Sequence, residues 1–110
     1  MSQEFKGLTA AVTGAGSGIG LATIKILADG GATVYGLDVA EGGITEFGTW
    51  LQCDVGDDAS VTSAFAKINA LDILINSAAI SATGTVENNT SEEWHKVMNV
   101  NVVGIMRTVR

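Results

Sequence analysis

The chain has 110 residues, enough for one domain and too few for two, so residues 1–110 are expected to form a single α/β unit. Hydrophobic types make up 46% of it and charged types 16%, with a mean hydropathy of +0.32, which excludes disorder; no stretch approaches the roughly 18 uninterrupted apolar residues of a membrane span. Twelve acidic residues against six basic ones leave a net charge of −6, a surface that repels phosphate backbones and excludes nucleic acid as a partner.

Residues 8–12 are a short apolar run bounded by glycines and read as a buried strand. Residues 13–20 are dense in glycine, and residues 19–28 then place Ile19, Ala22, Ile26 and Leu27 at helical spacing. Gly30 and Gly31 supply the helix stop, since glycine tolerates the left-handed C-terminal conformation. Residues 32–37 form a second strand ending at Asp38, completing a unit of βαβ size. Residues 40–48 predict a loop or one short helical turn. Residues 49–53 predict a third strand closed by Asp54, and residues 57–69 a helix through Val61, Ala64, Phe65 and Ile68, N-capped by Asp57 or Asp58. Residues 72–76 (DILIN) are a fourth strand, apolar on both faces as central parallel strands are. A small-residue polar loop spans 77–89, after which Thr90 and Glu93 form a capping-box pair opening a helix that runs from Ser91 to the chain end. Alternating strands and helices without proline predict a Rossmann-type, doubly wound parallel sheet of about four strands, ordered 3-2-1-4.

The turn T-G-A-G-S-G-I-G, residues 13–20, lies between the first strand and the first helix. A dinucleotide site needs backbone unobstructed by side chains, and a helix N-terminus whose dipole favours the pyrophosphate. Both are present without any Lys or Arg. The common G-x-G-x-x-G spacing fails, because position 19 is Ile19 and position 21 is Leu21; T-G-x-x-x-G-x-G fits through Thr13, Gly14, Gly18 and Gly20. A P-loop is excluded, since no Gly-Lys-Ser/Thr follows. A glycine-rich turn by itself is also what mere punctuation looks like. Asp38 adds the second feature: it closes the second strand, where a carboxylate accepts hydrogen bonds from the adenosine ribose and repels a 2′-phosphate. Neither Ser17 nor Val39, which flank that position, is basic, so NAD is expected rather than NADP.

Taken together, these residues resemble the short-chain dehydrogenase/reductase family. Cys53-Asp54-Val55 looks like the aspartate-plus-aliphatic step after the third strand, which contacts adenine. Asn76-Ser77-Ala78-Ala79 is similar to the N-N-A-G segment, with Ser77 and Ala79 replacing the second Asn and the Gly. Residues 94–104 look like W-x-x-x-x-x-V-N-x-x-G, which puts Asn101 at the catalytic-asparagine position, where it would hold a helix kink and a proton-relay water; Asn99 is out of phase with that motif. The resemblance implies an NAD-dependent oxidoreductase acting on an alcohol or carbonyl compound, a small hydroxy acid among the candidates. Gly14, Ser17, Gly18, Ile19 and Gly20 would hold the pyrophosphate, Asp38 and Val39 the ribose, Asp54 and Val55 the adenine, and Asn76 and Ala78 the nicotinamide ribose. Short links before and after Asp54 imply a vestigial second helix and a trimmed third.

The family's chemistry needs a Tyr with a Lys four residues on, and a Ser. The one tyrosine here is Tyr35, followed at that spacing by Val39. The chain therefore reads as the cofactor half of the fold, inactive alone, or alternatively as a non-catalytic binding or self-assembling module. Its fourth strand would be an exposed apolar edge, and its last helix is too apolar for water on all sides. Both predict a homo-oligomer or a complementing second half docked there.

The remaining candidates have plainer readings. His95 has no partner ligands at matching positions and reads as a solvated helix residue, and no metal site is expected. Cys53, the single cysteine, excludes an intramolecular disulfide and reads as a small buried hydrophobe. Asp57 and Asp58 are helix-start residues, Glu92 and Glu93 complement a helix dipole, and Trp50 and Trp94 are expected to pack. Ser81 and Thr83 are candidate substrate contacts. The polar start, without an apolar leader core, points to the cytoplasm.

Overall fold

A computed structural model describes residues 3–80 and 89–109. The chain runs β1 (Thr9–Thr13), α1 (Gly18–Asp29), β2 (Thr33–Asp38), a 3-10 turn (Ile44–Glu46), β3 (Thr49–Gln52), α2 (Asp58–Phe65) and β4 (Ile73–Asn76). It closes with α3 (Ser91–Met98), a π-helical turn (Asn99–Val103) and α4 (Gly104–Val109). Strand order is β3-β2-β1-β4, all neighbours parallel. This is the α/β, Rossmann-type sheet that the alternation of elements predicts. The expected contacts of Ser81 and Thr83 lie outside the described residues.

Side-chain alternation along β1 divides the core in two. Ala10 and Val12 face Ile24 and Leu27 of α1, whereas Ala11 faces Leu37, Leu51, Val61 and Ala64 on the α2 side. The face of α1 that meets the sheet is Gly20, Ile24 and Leu27. This corrects the stripe read from spacing: Ile19 is 81% exposed, Ile26 is 64% exposed, and Ala22 is exposed too. The reason is Gly20. A Cβ there would run into the Gly14 carbonyl oxygen, so the helix must turn this side chain-free position onto the glycine turn. The helix ends as expected: Gly31 adopts φ +97°, with Gly31 N–H donating to Ala28 and Ala32 N–H to Leu27, both at 3.0 Å.

The crossover between β2 and β3 holds only the 3-10 turn. Ile44 is fully buried and seats on Gly36 of β2, where an added Cβ would lie 2.6 Å from its Cγ2. One isoleucine over a strand glycine thus takes the place of a crossover helix. Helix α2 is shorter than its periodicity predicts. It is capped by Asp57, which accepts from Ser60 N–H at 3.2 Å, and it tightens past Phe65 into i→i−3 bonds of Lys67 and Ile68. The last helix is not continuous, because the π turn interrupts it. Trp94 is 48% exposed, against the expectation that it packs. Among the described residues, no helix is long and apolar enough to cross a membrane.

Candidate functional site

Register places the site. Thr13 pairs with Leu37 on one side and Asn76 on the other, so the glycine turn, Asp38 and residues 77–78 leave the sheet at the same C-terminal edge. Open parallel sheets bind ligands at this edge. A groove of about 580 Å³ lies there. Its wall includes Gly14, Ser17, Ile19, Gly20, Asp38, Val39, Asp54, Val55 and Ala78.

The glycine turn is built by contacts that leave no room for side chains. Gly14 has φ +66°, and a Cβ there would lie 2.7 Å from Ala78 Cα. Thr13, 1% exposed, accepts hydrogen bonds on its hydroxyl from Ser77 N–H and Ala78 N–H, each 3.1 Å. The Ser77 hydroxyl returns a 2.5 Å bond to the Thr13 carbonyl. The end of β1 is therefore latched to the segment after β4. Ser77, which departs from the family's Asn, is half of this latch.

Asp38 anchors the other side. Its Oδ2 accepts from Gly16 N–H at 2.9 Å, its Oδ1 from Ala40 N–H at 3.4 Å, and Gly43 N–H donates to the Gly16 carbonyl at 3.2 Å. These bonds consume Gly16, while the first-turn amides of α1 have no intrahelical acceptors. Ser17 is the N-cap in extended backbone, its hydroxyl makes no capping bond, and it is exposed. Ser17 and the N-terminus of α1 therefore present donors to an anion without any basic side chain.

At the end of β3, Asp54 is exposed and its Oδ1 accepts from Gly56 N–H at 2.8 Å. Val55 is 6% exposed and forms part of the floor. Cys53 also lines the groove, 3% exposed. Burial pushes its thiol above the ordinary value, and the negative charge of Asp54 adds to this, so Cys53 stays a protonated, inert hydrophobe.

Three expected site residues do not themselves form the groove wall. Gly18, φ +57°, opens α1 but does not form the groove wall. Asn76, at the end of β4, accepts the Thr108 hydroxyl on its Oδ1 at 2.6 Å and does not form the groove wall. Asn101 grips residue 80 at two points, its Nδ2 donating to the Ile80 carbonyl and its Oδ1 accepting from Ile80 N–H, both 2.8 Å. The π turn contains Asn101. His95 is exposed, and no group of three or more His, Cys, Asp or Glu that could hold a metal occurs among the described residues.

Sequence reasoning missed Thr13 as a latch, Ser77 as its partner and Lys96, the basic side chain on the groove wall. Thr13 had a signal, since it opens the T-G-x-x-x-G-x-G pattern. Lys96 had none, because its place on the wall depends on how α3 packs.

The short chain dehydrogenase family model matches residues 8–110. The 3-oxoacyl-[acyl-carrier-protein] reductase FabG of Vibrio harveyi is 36% identical, the match covering 94% of this chain and 47% of that protein. Carbonyl reductase [NADPH] 2 of Sus scrofa is 32% identical over 97% of this chain and 46% of its own length. The ligand-free structure of Thermoplasma acidophilum aldohexose dehydrogenase superposes with a TM-score of 0.88 at 26% identity, covering 98% of this chain and 44% of that one. The chain thus spans about half the length of the curated relatives it matches, and it belongs to the short-chain dehydrogenase family.

Proposed function

We propose that this chain is the NAD(H)-binding portion of a short-chain dehydrogenase that oxidises an alcohol or reduces a carbonyl. The observation that carries the reading is the groove, whose glycine floor admits backbone-hugging phosphates and whose rim ends in Asp38. The fit is specific at two points. Gly14 and Gly20 allow the turn to close on the backbone of residues 78 and 14, which a Cβ at either position would strike, and the first-turn amides of α1, without intrahelical acceptors, lie beside the Ser17 hydroxyl.

When bound, a nicotinamide cofactor supplies or accepts the hydride. The residues here bind and orient it. Ser17, Ile19 and Gly20, with Gly14 beneath, take the pyrophosphate; Asp38 and Val39 take the adenosine ribose; Asp54 and Val55 take the adenine; Ala78 supports the nicotinamide side. Asn101 acts as a positioning residue by holding the backbone of residue 80 where the groove meets the π turn. Asp38 favours NAD over NADP. A 2′-phosphate would meet its carboxylate, and neither residues 13–20 nor residues 36–48 contain a Lys or Arg to neutralise the phosphate. The pig relative carries NADPH in its name, so the choice is a direct experimental question.

Calorimetric titration of the chain with NADH, with NADPH and the Asp38→Ala variant as controls, tests this. We expect saturable NADH binding, weaker NADPH binding, and a loss of about tenfold in the variant, the worth of one hydrogen-bonded charge. A folded protein that binds neither nucleotide would overturn the reading.

The exposed apolar residues of the last helix favour a second reading, a non-catalytic module that assembles through α3 and α4. Val102 and Ile105, 52% and 44% exposed, are its strongest support. Assembly in the absence of nucleotide binding would favour it over the first.

A further inference from the structure

Asn99 and Arg107 stand outside the groove wall, yet together they hold the segment that carries Asp54 and Val55. Asn99 Nδ2 donates to the Gly56 carbonyl at 2.9 Å. Arg107 Nη2 donates to Asn99 Oδ1 at 2.6 Å, and Nη1 to the Val55 carbonyl at 2.8 Å and the Asn99 carbonyl at 3.3 Å. Its Nε pairs with Asp58 Oδ1 at 2.6 Å, at the first residue of α2. The guanidinium is largely buried, its side chain 12% exposed. On the other side of the same turn, Gly56 N–H donates to Asp54 Oδ1. Gly56 is thus held by both its backbone polar groups, one on Asp54 and one on Asn99.

The π turn makes this clamp possible. In an uninterrupted α-helix, residues eight apart sit about 80° apart around the axis; one residue absorbed in a π turn reduces this to about 20°. Asn99 and Arg107 bracket the π turn and so come onto one face of the helix. Gly104 lies between them, and a Cβ there would be 3.0 Å from Val55 Cγ2 and 3.2 Å from the Val55 carbonyl oxygen. The helix therefore approaches the 55–56 backbone closely enough for both side chains to reach it.

We propose that Asn99, braced by Arg107, is a positioning residue that fixes Asp54 for recognition of the adenine base. The proposal rests on the groove being a dinucleotide site. An ionised carboxylate only accepts hydrogen bonds. Held in place, Asp54 accepts from the exocyclic amino group of adenine and repels the carbonyl that hypoxanthine carries at the same position. Released, it follows the mobile base and discriminates little.

The test is calorimetric titration of the 110-residue chain with NADH and with its hypoxanthine analogue. The wild type is expected to prefer NADH by about tenfold, the worth of one charge-assisted hydrogen bond. In Asn99→Ala and Arg107→Met the preference should fall to within about twofold. Asn99→Asp keeps the acceptor for Arg107 and loses the donor for Gly56, so it should lie between; it also carries the test if Asn99→Ala does not fold. A role confined to overall stability would weaken both dinucleotides alike and leave their ratio unchanged. A wild-type chain that prefers NADH, with the ratio intact in all the variants, would overturn the proposal and leave the NAD(H) reading standing, as would a wild type that binds both nucleotides equally. Failure of the wild type to bind either would overturn both.

Discussion

Asp38 has two roles that substitution separates. Its Oδ2 fastens Gly16, and hence the glycine turn, before any ligand arrives. Asp38→Asn retains an acceptor for the Gly16 amide but removes the charge that would repel a 2′-phosphate. We expect Asp38→Asn to keep the fold's stability within about 0.5 kcal/mol while narrowing the gap between NADH and NADPH affinity. Asp38→Ala should lose both. Chemical denaturation beside nucleotide titration separates the two effects; equal stability loss in both variants would remove the anchoring role. Cys53 gives a pH signature at the same scale. Its folded-state thiol titrates above the ordinary value of 9.0, because burial and then the Asp54 charge disfavour the thiolate. A raised folded value means that the unfolded chain releases the proton first. The contribution of Cys53 to stability is therefore complete below about pH 9 and declines as pH rises beyond it. Stability curves of wild type and Cys53→Ala should converge in the alkaline range, and parallel curves would contradict the assignment.

At the scale of elements, the 3-10 turn shows how little is needed to replace a crossover helix. Ile44 fills the space over Gly36, so the two residues should behave as one packing unit. Gly36→Ala puts a methyl 2.6 Å from Ile44 Cγ2 and should cost about 1–3 kcal/mol as overpacking. Ile44→Ala should cost about 2–5 kcal/mol as a cavity. The double variant is expected to lose less than the two separate costs combined, because the alanine methyl occupies part of the vacated volume. Additive losses in denaturation would show that the contact is incidental. Helix α3 begins on a capping box in which Thr90 Oγ1 accepts from Glu93 N–H at 3.1 Å. Hydrogen bonds from Asn89 and then Thr90 hold the Glu93 carboxyl below its ordinary value of 4.5, so the box supports the helix above that pH and loses its grip as pH falls through the lowered value.

Elements also show what could be read from the sequence. The strands, their order and the capping box followed from short apolar runs and from Thr90 and Glu93, which are local signals. The buried face of α1 followed from periodicity only at Leu27, since Ile19-Ala22-Ile26 and Gly20-Ile24-Leu27 both have helical spacing. Only Gly20's need to touch Gly14 selects between them. Asn99 falls outside the W-x-x-x-x-x-V-N-x-x-G register, and its bond to the Gly56 carbonyl, 43 residues away in the chain, leaves no mark in that motif. Asn76 could be located on β4, but its partner Thr108 lies 32 residues away. No local pattern reports such a contact.

At the scale of the whole molecule, the sheet is incompletely covered on both faces at its β4 end among the described residues. Strand β4 is the sheet's edge, and none of its residues is buried among the described part of the chain. Beside this edge the last helix exposes Met98, Val102, Ile105, Met106 and Val109, between 43% and 64% each. A parallel edge strand with unpaired backbone groups is a template for further pairing, and an apolar helix face of this size marks a contact surface. With a net charge of −6, long-range repulsion between copies opposes association at low salt and is screened as salt rises. We therefore expect the 110-residue chain to self-associate in light scattering, more strongly at about 0.5 M salt than at about 0.05 M, where screening lengths differ several-fold. Val102→Glu with Met106→Lys should shift it toward monomer without altering NADH affinity, because neither side chain lines the groove. The same preparation should form no NADH from NAD and an alcohol, since its one tyrosine, Tyr35, lies within β2 and is followed four residues on by Val39. Turnover that persists after removal of host dehydrogenases would refute this last expectation. A monomer at every salt concentration would show that the exposed edge and helix face need no partner.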